Sequence, residues 1–396
     1  MSALFTTFDV FPLPKGSSTH IAHTLRGLAG MFGRVNLAAL GRPDMPRYQE
    51  EGAVTIRRCL AVHPNFLKRT EYFGGFLRDI VRTMDRIECV HFRDVWSGVP
   101  LMDHAALAGA VKVFEVNGLP SIELPYHYPA ILENRGLLAR IRDMEDYCLA
   151  ASDGVITVSG VTKRYLATRG VPAEKIHVVP NTAESDLRDG SAAGPGEAPA
   201  GRKTILYAGT LSSWQGVDTL IEAFRLIAAR GDADLFLASS TDKRVREVKK
   251  TLRRAGLGGR AAVRVGLPRE ALGSLYRSSA MTVAPLSGCG RNRIQGCSPL
   301  KIIESMFSGT PVVASRLPVC EEIIDHGVDG WLVPPDSPRA LALAMEMLLD
   351  DPDLGARLGR AARDKMEKSF NINLWLEKFH SSYTVIMGPA ERPAGR

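Results

Sequence analysis

Residues 288–304 combine basic side chains, glycines and a predicted helix start, a combination suited to binding an anion. Arg291 and Arg293 lie in a glycine-containing loop, and Lys301 falls in the first turn of the helix. A lysine there faces the positive end of the helix dipole, which is unfavourable unless an anion is bound, and glycines let backbone amides approach a ligand closely. The alternative is that Lys301 pairs with Glu304 at three residues' spacing and that both arginines are solvated.

The helix that carries Lys301 is predicted to begin at Pro299, with Ser298 as its N-cap. A serine hydroxyl can accept one of the unpaired first-turn amides, and proline has no amide to leave unpaired. Gly309 can adopt the left-handed conformation that ends a helix, so the last helical residue is predicted near Ser308. Helical spacing gives an apolar face and a polar face. Their members are Leu300, Ile303 and Phe307 on the first and Lys301, Glu304, Ser305 and Ser308 on the second.

Short apolar segments alternate with helical segments along the whole chain, which is typical of doubly wound parallel α/β sheets. The predicted strands include residues 35–40, 54–56, 89–92, 111–116, 154–158, 235–238, 262–266, 281–284 and 312–314. Ligands bind at the carboxyl ends of such strands, where the polar residues here are Arg93, Asp94, Asn117 and Ser159. Asn117 can donate a hydrogen bond to a sugar hydroxyl but cannot act as a base, and it can equally be a turn residue beside Gly118.

The chain has 396 residues, of which 45% are hydrophobic and 23% charged, so we expect a globular protein with two domains. It has six cysteines without paired spacing, no apolar h-region of a signal peptide at the N-terminus and no apolar run of about 18 residues. These features favour a reduced, cytoplasmic protein without a membrane span. Cys289 and Cys297 have no His or Cys neighbours at ligand spacing, so no metal site is predicted.

The formal net charge of +7 is modest for this length, so nucleic acid is not predicted as a partner. The basic segment at residues 243–254 has no aromatic residues interleaved, which argues against stacking on bases. A second basic segment, residues 65–87, is predicted to be an amphipathic helix. We expect this helix either to make weak contact with anionic lipid at the inner face of the membrane or to bury its apolar side in a domain core.

The run SPLKIIESMFSGTPVVAS, followed by EEIIDHGVDGWLVPPDSPRALALAMEMLL, resembles the donor-binding half of the retaining nucleotide-sugar glycosyltransferases of family 4. The resemblance extends through ILYAGTLSSWQGVDTLIEAF, ITVSGVTKRYLATRGVPAEKIHVVPN and PLPKGSSTHIAHTLRGL, and so covers nearly the whole chain. It implies the α/β GT-B fold, in which two Rossmann-like domains, each with a doubly wound parallel sheet, face each other across a cleft.

The resemblance also implies an organisation into domains. Residues 1–183 are expected to form an acceptor-binding domain, which the C-terminal helix within residues 370–396 rejoins, and residues 203–369 a donor-binding domain. Residues 184–202 are rich in Gly, Ala and Pro and lack apolar periodicity, so a flexible linker is expected between them. The residues after Met387 have the composition of a disordered tail.

In family 4, two glutamates stand eight positions apart, of which the first contacts the sugar and the second the nucleotide ribose. Glu304 matches the second, whereas Gly296 stands at the position of the first. The family grips the diphosphate with an arginine and a lysine, and this chain has Thr210 and Gln215 at those positions. Something else must then neutralise the diphosphate. The available cations are Arg291, Arg293 and Lys301.

Other site residues are also implied by the resemblance. Gly16 stands in the glycine loop that approaches the donor diphosphate, and Val265 and Gly266 form the turn beside the base. The family often has a histidine by the reacting sugar, where this chain has Asn117, with His127 a short distance beyond. The catalytic candidates are Asn117, His127 and Arg93. The predicted donor site is Gly16, Gly209, Thr210, Gln215, Val265, Gly266, Arg291, Arg293, Gly296, Cys297, Ser298, Pro299, Leu300, Lys301 and Glu304.

The expected reaction is transfer of a sugar from a UDP- or GDP-type donor to a small-molecule, saccharide or lipid-linked acceptor, with retention of configuration. Neither a cofactor nor a metal is expected, because helix N-termini and basic side chains can stabilise a leaving diphosphate. Retention in this family is attributed to front-face departure, which requires no enzymic nucleophile. Two alternatives remain: a sugar- or nucleotide-binding protein that has lost catalysis, and a sugar-nucleotide epimerase with the same fold.

Overall fold

The computed structural model describes residues 2–13, 15–60, 63–183 and 202–388. These residues form two compact units. The first falls within Met1–Leu13, Ser17–Val179 and Trp375–Arg396, and the second within Pro14–Gly16 and Pro180–Leu374. Residues 184–201 of the predicted linker and residues 389–396 of the predicted tail lie outside the described part of the chain.

The first unit is built on an eight-stranded sheet in the order β3-β4-β2-β1-β5-β6-β7-β8. Its strands are β1 Ser2–Val10, β2 Arg34–Leu40, β3 Tyr48–Glu51, β4 Val54–Cys59, β5 Cys89–Phe92, β6 Val111–Val116, β7 Gly154–Thr157 and β8 Ile176–Val178. All neighbouring strands are parallel except β3, which pairs antiparallel with β4 at the edge of the sheet. This edge hairpin was not predicted, because the short β3 strand YQEE lacks an apolar pattern.

The second unit contains a six-stranded sheet in the order β11-β10-β9-β12-β13-β14, and every neighbouring pair is parallel. Its strands are β9 Lys203–Gly209, β10 Ala233–Ser239, β11 Ala261–Val265, β12 Met281–Ala284, β13 Val312–Ser315 and β14 Trp331–Val333. Both sheets are therefore doubly wound parallel sheets, as predicted. The first residues after the parallel strands lie at the carboxyl end of each sheet, which is where side chains from separate segments can meet.

The helices that pack on the first sheet are α1 Gly16–Phe32, α2 Phe66–Val81, α3 Val95–Met102, α4 Pro120–His127, α5 Arg135–Ala151 and α6 Gly160–Thr168. Phe73 and Leu77 of α2 are fully buried in the core of this unit. The apolar side of α2 thus packs in the domain, and the helix ends at Val81, before the predicted residue 87. The C-terminal helix Ile372–Met387 contributes buried Phe379 and Tyr383, which lie within the first unit.

The helices of the second unit are α7 Val217–Ile227, α8 Val245–Arg254, α9 Arg269–Ser278, α10 Leu300–Ser308, α11 Pro318–Glu321, α12 Pro338–Asp350 and α13 Pro352–Ser369. The C-terminal helix Ile372–Met387, described above with the first unit, is α14. Apolar side chains of α7 and α12 pack with the strands of the second sheet in one buried cluster. Within the described residues, no helix is both long and apolar enough to cross a membrane.

Candidate functional site

The start of α10 differs from its prediction by one residue. The helix begins at Leu300, and Pro299 occupies the N-cap position in an extended conformation, with φ −74° and ψ 99°. Ser298 is buried and does not cap the helix, because its hydroxyl accepts a hydrogen bond from the backbone amide of Asn181 at 3.1 Å. The Asn181 side chain donates to the Ser298 carbonyl at 2.7 Å. Ser298 therefore joins two segments of the second unit and leaves the first amides of α10 without a side-chain cap among the described residues.

Lys301 is partly buried, and its ammonium group contacts neutral partners. Its Nζ donates to the Tyr207 hydroxyl at 3.1 Å and to the side-chain oxygen of Gln215, and it lies 4.3 Å from the centroid of the Tyr207 ring. Loss of hydration lowers the pKa of Lys301 to about 7, opposed by the charges of Cys297, Cys320 and Glu304. Its charge is therefore only weakly stabilised by the protein itself.

The structure brings Lys301 to the loop that follows β9. A Cβ atom added at Gly209 would lie 3.1 Å from Lys301 Cε and 3.2 Å from Nζ, so this close approach depends on the missing side chain. The Tyr207 hydroxyl in turn donates to the Thr210 carbonyl. Four of the predicted donor residues, Gly209, Thr210, Gln215 and Lys301, thus lie together, with Lys301 bonded to Gln215 directly and linked to Thr210 through Tyr207.

The basic loop before α10 contains a π-helical turn, Arg291–Gln295, where a continuous loop was predicted. Such turns are rare and are often found at functional sites. Asn292 fixes the turn, because its buried side-chain amide donates to the Trp214 and Ser287 carbonyls, each at 2.8 Å. The Arg291 guanidinium lies 5.0 Å from the centroid of the Trp214 ring. Arg291 is therefore placed on the same loop, residues 209–216, that Lys301 contacts.

Arg293 is directed differently. It is exposed, and its Nε donates to the Gly288 carbonyl at 2.8 Å, within its own loop. The Gly288 amide donates to Asp336 at 2.7 Å, which places a carboxylate close to the same segment. The three predicted cations are thus not equivalent. Lys301 and Arg291 contact residues 209–216, whereas Arg293 bonds within the loop that precedes α10.

Glu304 lies one turn into α10 and is partly buried. Its Oε2 accepts a hydrogen bond from the Tyr276 hydroxyl at 2.9 Å, which orients the carboxylate. Burial and the nearby Glu304 raise the pKa of Tyr276 well above its usual value, so this tyrosine stays a donor. The polar face predicted for α10 is partly wrong, because Ser305 and Ser308 are buried and bond to neighbouring hydroxyls and carbonyls of the core.

Gly296 has φ 83° and ψ 173°, a conformation that residues with a side chain rarely adopt. A glutamate at this position, as in the family pattern, would be strained in this loop. The remaining predicted donor residues do not form one cluster through the contacts described. Val265, at the end of β11, is 43% exposed and available to a ligand, and the Gly266 amide that follows it donates to Ser239 O at 2.9 Å. Cys297 and Leu300 are partly buried beside the helix start.

The first unit contains a cluster that sequence reasoning found only in part. Glu115, in β6, is 1% exposed and accepts hydrogen bonds through both oxygens. Oε1 accepts from His20 at 2.6 Å, from Arg93 Nε at 3.2 Å and from the side-chain amide of Asn117, and Oε2 accepts from His91 at 2.7 Å. The predicted Arg93 and Asn117 are therefore brought together by Glu115, which was not predicted. Its signal was a lone carboxylate in the apolar strand VKVFEV.

The electrostatics of this cluster are strongly compensated. Burial alone would raise the pKa of Glu115, but the charges of His20 and Arg93 and the hydrogen bonds hold it well below its usual value. Burial lowers the pKa of His91, whose Nδ1 lies 2.5 Å from the Tyr383 hydroxyl. His127, the third predicted catalytic residue, ends α4, and its ring contacts Tyr128. Among the described residues, no three or more His, Cys, Asp or Glu side chains are arranged so that they could hold a metal ion.

Two family models match the chain, and together they cover most of it. Residues 14–186 match the model described as Glycosyltransferase Family 4, and residues 202–351 match the model described as Glycosyl transferases group 1. The chain belongs to glycosyltransferase family 4. The resemblance to family 4 noted in the sequence is thereby confirmed, and the chain is a glycosyltransferase. The two matched ranges together include the residues of both clusters.

Curated relatives agree with this assignment. An uncharacterized glycosyltransferase of Methanocaldococcus jannaschii is 25% identical over 89% of this chain and 90% of its own length. The amylovoran biosynthesis glycosyltransferase AmsK of Erwinia amylovora is 24% identical over 68% of this chain and 66% of its own length. The family 4 chain thus resembles relatives along most of its sequence at low identity.

Solved structures confirm the predicted fold. The sucrose-phosphate synthase of Thermosynechococcus elongatus has a TM-score of 0.83 at 20% identity, covering 98% of this chain and 99% of its own. The Anabaena protein HepE in complex with UDP-glucose has a TM-score of 0.73 at 15% identity, covering 97% of this chain and 99% of its own. This family 4 chain therefore has the GT-B fold.

Proposed function

We propose that this chain transfers a sugar from a nucleoside diphosphate sugar to an acceptor with retention of configuration, and that the second unit binds the donor. The observation that carries the proposal is the placement of Lys301 and Arg291 on residues 209–216. In that loop Thr210 and Gln215 replace the cations of the family pattern, and Lys301 bonds directly to Gln215. The contact of Lys301 with Gln215 supports the proposal that this lysine supplies a positive charge to the diphosphate.

The chemistry of the helix start fits a diphosphate. Lys301 is surrounded by a hydroxyl, an amide and an aromatic ring, and a dianionic ligand would stabilise its charged form better than these neutral groups do. The uncapped first amides of α10 add donors and the positive end of the helix dipole. Charge developing on a departing diphosphate would be stabilised by the same groups, which is why no metal is invoked.

Retention is proposed to follow the front-face route, in which the departing diphosphate oxygen helps to deprotonate the acceptor hydroxyl. A double displacement needs an accessible carboxylate as nucleophile. Glu115 is unsuited to that role, because it is 1% exposed and both of its oxygens already accept hydrogen bonds. We infer that Glu115 positions Asn117 and Arg93, and that the first unit binds the acceptor.

The UDP or GDP identity of the donor is also a proposal. HepE has been solved in complexes with UDP and UDP-glucose, which supports UDP as the first nucleotide to test. All six cysteines are free thiols, which fits a cytoplasmic enzyme. The first experiment is incubation of the protein with a panel of UDP- and GDP-sugars. Slow release of nucleoside diphosphate with formation of free sugar is expected, and the first anomer formed, followed by NMR, reports retention or inversion.

One observation favours a second candidate, a nucleotide-sugar-binding protein without turnover. Gly296 has a positive φ of 83°, so a glutamate at this position, which the family pattern has, would be strained in this loop. Calorimetric binding of a nucleotide sugar without hydrolysis or transfer would favour this candidate. Isomerised donor would indicate an epimerase, and absence of nucleotide binding would contradict all three functions.

We also propose weak contact between the exposed side of α2 and anionic lipid that carries an acceptor. The buried side of α2 lies in the core, but Leu67 and Tyr72 are 47% and 56% exposed among basic residues of the same helix. Such a face can attract acidic headgroups without deep insertion. Sedimentation with phosphatidylserine vesicles at low salt tests this. Protein that stays in the supernatant would leave a soluble acceptor as the better proposal.

A further inference from the structure

A groove of about 570 Å³ lies on the first unit between the β3–β4 hairpin and α2. Its lining includes three arginines, three aromatic residues and one aspartate. The residues that matter for recognition are Arg47, Tyr48, Arg57, Arg58, Tyr72 and Phe76. The volume falls within the range of about 300–1,000 Å³ that is usual for small-molecule sites.

Arg58 is a buried cation at this groove. It is 3% exposed, and its guanidinium donates to the Phe11 carbonyl at 2.9 Å, the Pro46 carbonyl at 3.0 Å and Gln49 Oε1 at 2.8 Å. All three partners are neutral. Burial lowers the pKa of Arg58, and Glu51 only partly opposes this. The positive charge is fixed in place but not cancelled.

Arg57 is a second cation at this groove. Its guanidinium lies 5.2 Å from the centroid of the Tyr48 ring, and its Nε is shielded from solvent with no hydrogen-bond partner among the described residues. A buried donor without a partner costs stability unless a ligand or water satisfies it. Arg47 adds a third guanidinium at the exposed rim. Arg57 therefore offers a donor without a partner, held in place against the Tyr48 ring.

The carboxylates close to the groove bond to residues other than the three arginines. Asp79 lies at the groove and pairs with Arg82 at 3.3 Å, while Glu50 accepts from the Tyr48 hydroxyl. In the described parts of the chain, none of the three groove arginines forms an ion pair with a carboxylate. Uncompensated guanidinium groups in one concave surface are suited to a compact anion, since their forked donors match carboxylate and phosphate oxygens.

We propose that this groove binds a saccharide that carries a carboxylate or a phosphate. The arginines would hold the anionic group, and Tyr48 and Tyr72, which are 51% and 56% exposed, would contact the apolar face of the sugar ring together with Phe76. In the proposed transfer reaction such a saccharide would be the acceptor, and this last step rests on the proposed function. The binding site itself does not.

Calorimetric titration of the full chain without nucleotide tests the proposal. The probes are D-glucose 6-phosphate, D-glucuronate, D-glucose and inorganic phosphate. We expect one or both anionic sugars to bind at least about tenfold more tightly than D-glucose and than inorganic phosphate, and the better one identifies the anionic group. Equal affinity for D-glucose, or for inorganic phosphate alone, would overturn the proposal.

Two variants and a matched control locate the site. Arg57→Gln should weaken binding of the anionic sugar by about tenfold or more, whereas Arg78→Gln, at an exposed arginine of α2 that does not line the groove, should leave it unchanged. Tyr72→Leu should weaken binding of the anionic sugar but not binding of inorganic phosphate. Arg58 is left intact because its three bonds hold the hairpin. Unchanged affinity in folded Arg57→Gln protein would overturn the site, and because no nucleotide is present, that result would leave the donor function standing.

Discussion

Glu115 in the first unit and Lys301 in the second are both shielded from water, but their surroundings stabilise the two charges to different extents. Glu115 in the first unit is bonded by His20, His91, Arg93 and Asn117, and its pKa is held well below the usual value. Lys301 in the second unit is bonded by a tyrosine hydroxyl and a glutamine amide, and its pKa falls to about 7. The protein stabilises the first charge and leaves the second weakly stabilised.

This difference indicates two kinds of role. A buried charge whose partners already compensate it contributes to structure and to positioning, and removing it exposes those partners to an unmet desolvation cost. A charge held among neutral groups gains most from a ligand of opposite sign, because the ligand provides the electrostatic stabilisation that the neutral groups do not. Glu115 is thus expected to matter for folding and geometry, and Lys301 for binding.

The largest expected effect is on stability. Glu115→Gln removes the charge that His20 and Arg93 surround, and breaking such a buried pair typically costs about 3–5 kcal/mol. Because the pKa of Glu115 is depressed in the folded state, its contribution is present above the unfolded pKa and is lost as pH falls through the folded value. Urea unfolding at several pH values should therefore show a much lower free energy of unfolding for the variant than for wild type near neutral pH. The free energy of unfolding of the variant should also change less than that of wild type as the pH is lowered.

Glu145→Gln is the control for that prediction. Glu145 is equally buried and pairs with Arg169 at 2.6 Å, but it bonds Ser121 rather than a candidate catalytic residue. Both variants should lose stability, and only Glu115→Gln should also lower kcat for donor hydrolysis in protein that remains folded. Equal kcat values in the two variants would show that Glu115 has no positioning role.

Lys301→Met should have the opposite profile. Its partners are neutral, so an apolar chain of similar length should leave the unfolding midpoint unchanged or raise it. Loss of a charge-assisted phosphate contact should weaken UDP binding by about 1.5–3 kcal/mol, which is roughly tenfold to a hundredfold. Lys249→Met, at an exposed lysine of α8 in the same unit, is the control and should bind UDP normally. A destabilised Lys301→Met protein with normal affinity would reverse the comparison.

The pH dependence of UDP binding sharpens the same point. Burial lowers the pKa of Lys301 to about 7, and a bound diphosphate should raise it, so the complex takes up a proton. Affinity should be nearly constant between pH 6.5 and 7 and should fall by up to about tenfold per pH unit above that, until the bound pKa is reached. The second ionisation of a phosphate lies near 6, so the ligand charge changes little in this window.

Two buffers of different ionisation enthalpy make the proton visible by calorimetry. At pH 8 the apparent enthalpy of UDP binding should depend on the buffer in wild-type protein and should not in Lys301→Met. Identical enthalpies in both buffers for wild type would mean that Lys301 is already charged in the free protein. The contrast with Glu115, whose protonation lies outside the neutral range, would then disappear.

How much of this was visible in the sequence depends on how local each feature is. The bounds of β5, β6 and β12 match their predicted ranges, because compact apolar runs decide buried strands. Ser298 was wrongly taken as an N-cap because its partner, Asn181, lies 117 residues away. The partners of Glu115 come from α1, from β5 and from the residues directly after β5 and β6, so the cluster exists only once the sheet is assembled. Residue types near α10 indicated an anion site, but the contact with Gln215 is tertiary.

Glu304→Gln tests a smaller effect in the second unit. Its carboxylate is oriented by Tyr276 and can accept from both ribose hydroxyls, so the amide should weaken UDP binding by about tenfold. The 2′-deoxy form of UDP offers a matched ligand. Wild type should bind it more weakly than UDP, and Glu304→Gln should discriminate much less. Full discrimination retained in the variant would remove Glu304 from the ribose site without affecting the assignment of Lys301.

The smallest effect separates two arginines of one loop. Arg291 lies over the Trp214 ring and beside the segment that Lys301 contacts, whereas Arg293 is exposed and bonds Gly288. Arg291→Gln should weaken UDP binding by about fivefold, since a partly exposed phosphate contact is worth about 1 kcal/mol, and Arg293→Gln should change it less than twofold. High salt should narrow the difference. If Arg293→Gln has the larger effect, the loop rearranges when the ligand binds, and the free structure would then not report which cations reach the diphosphate.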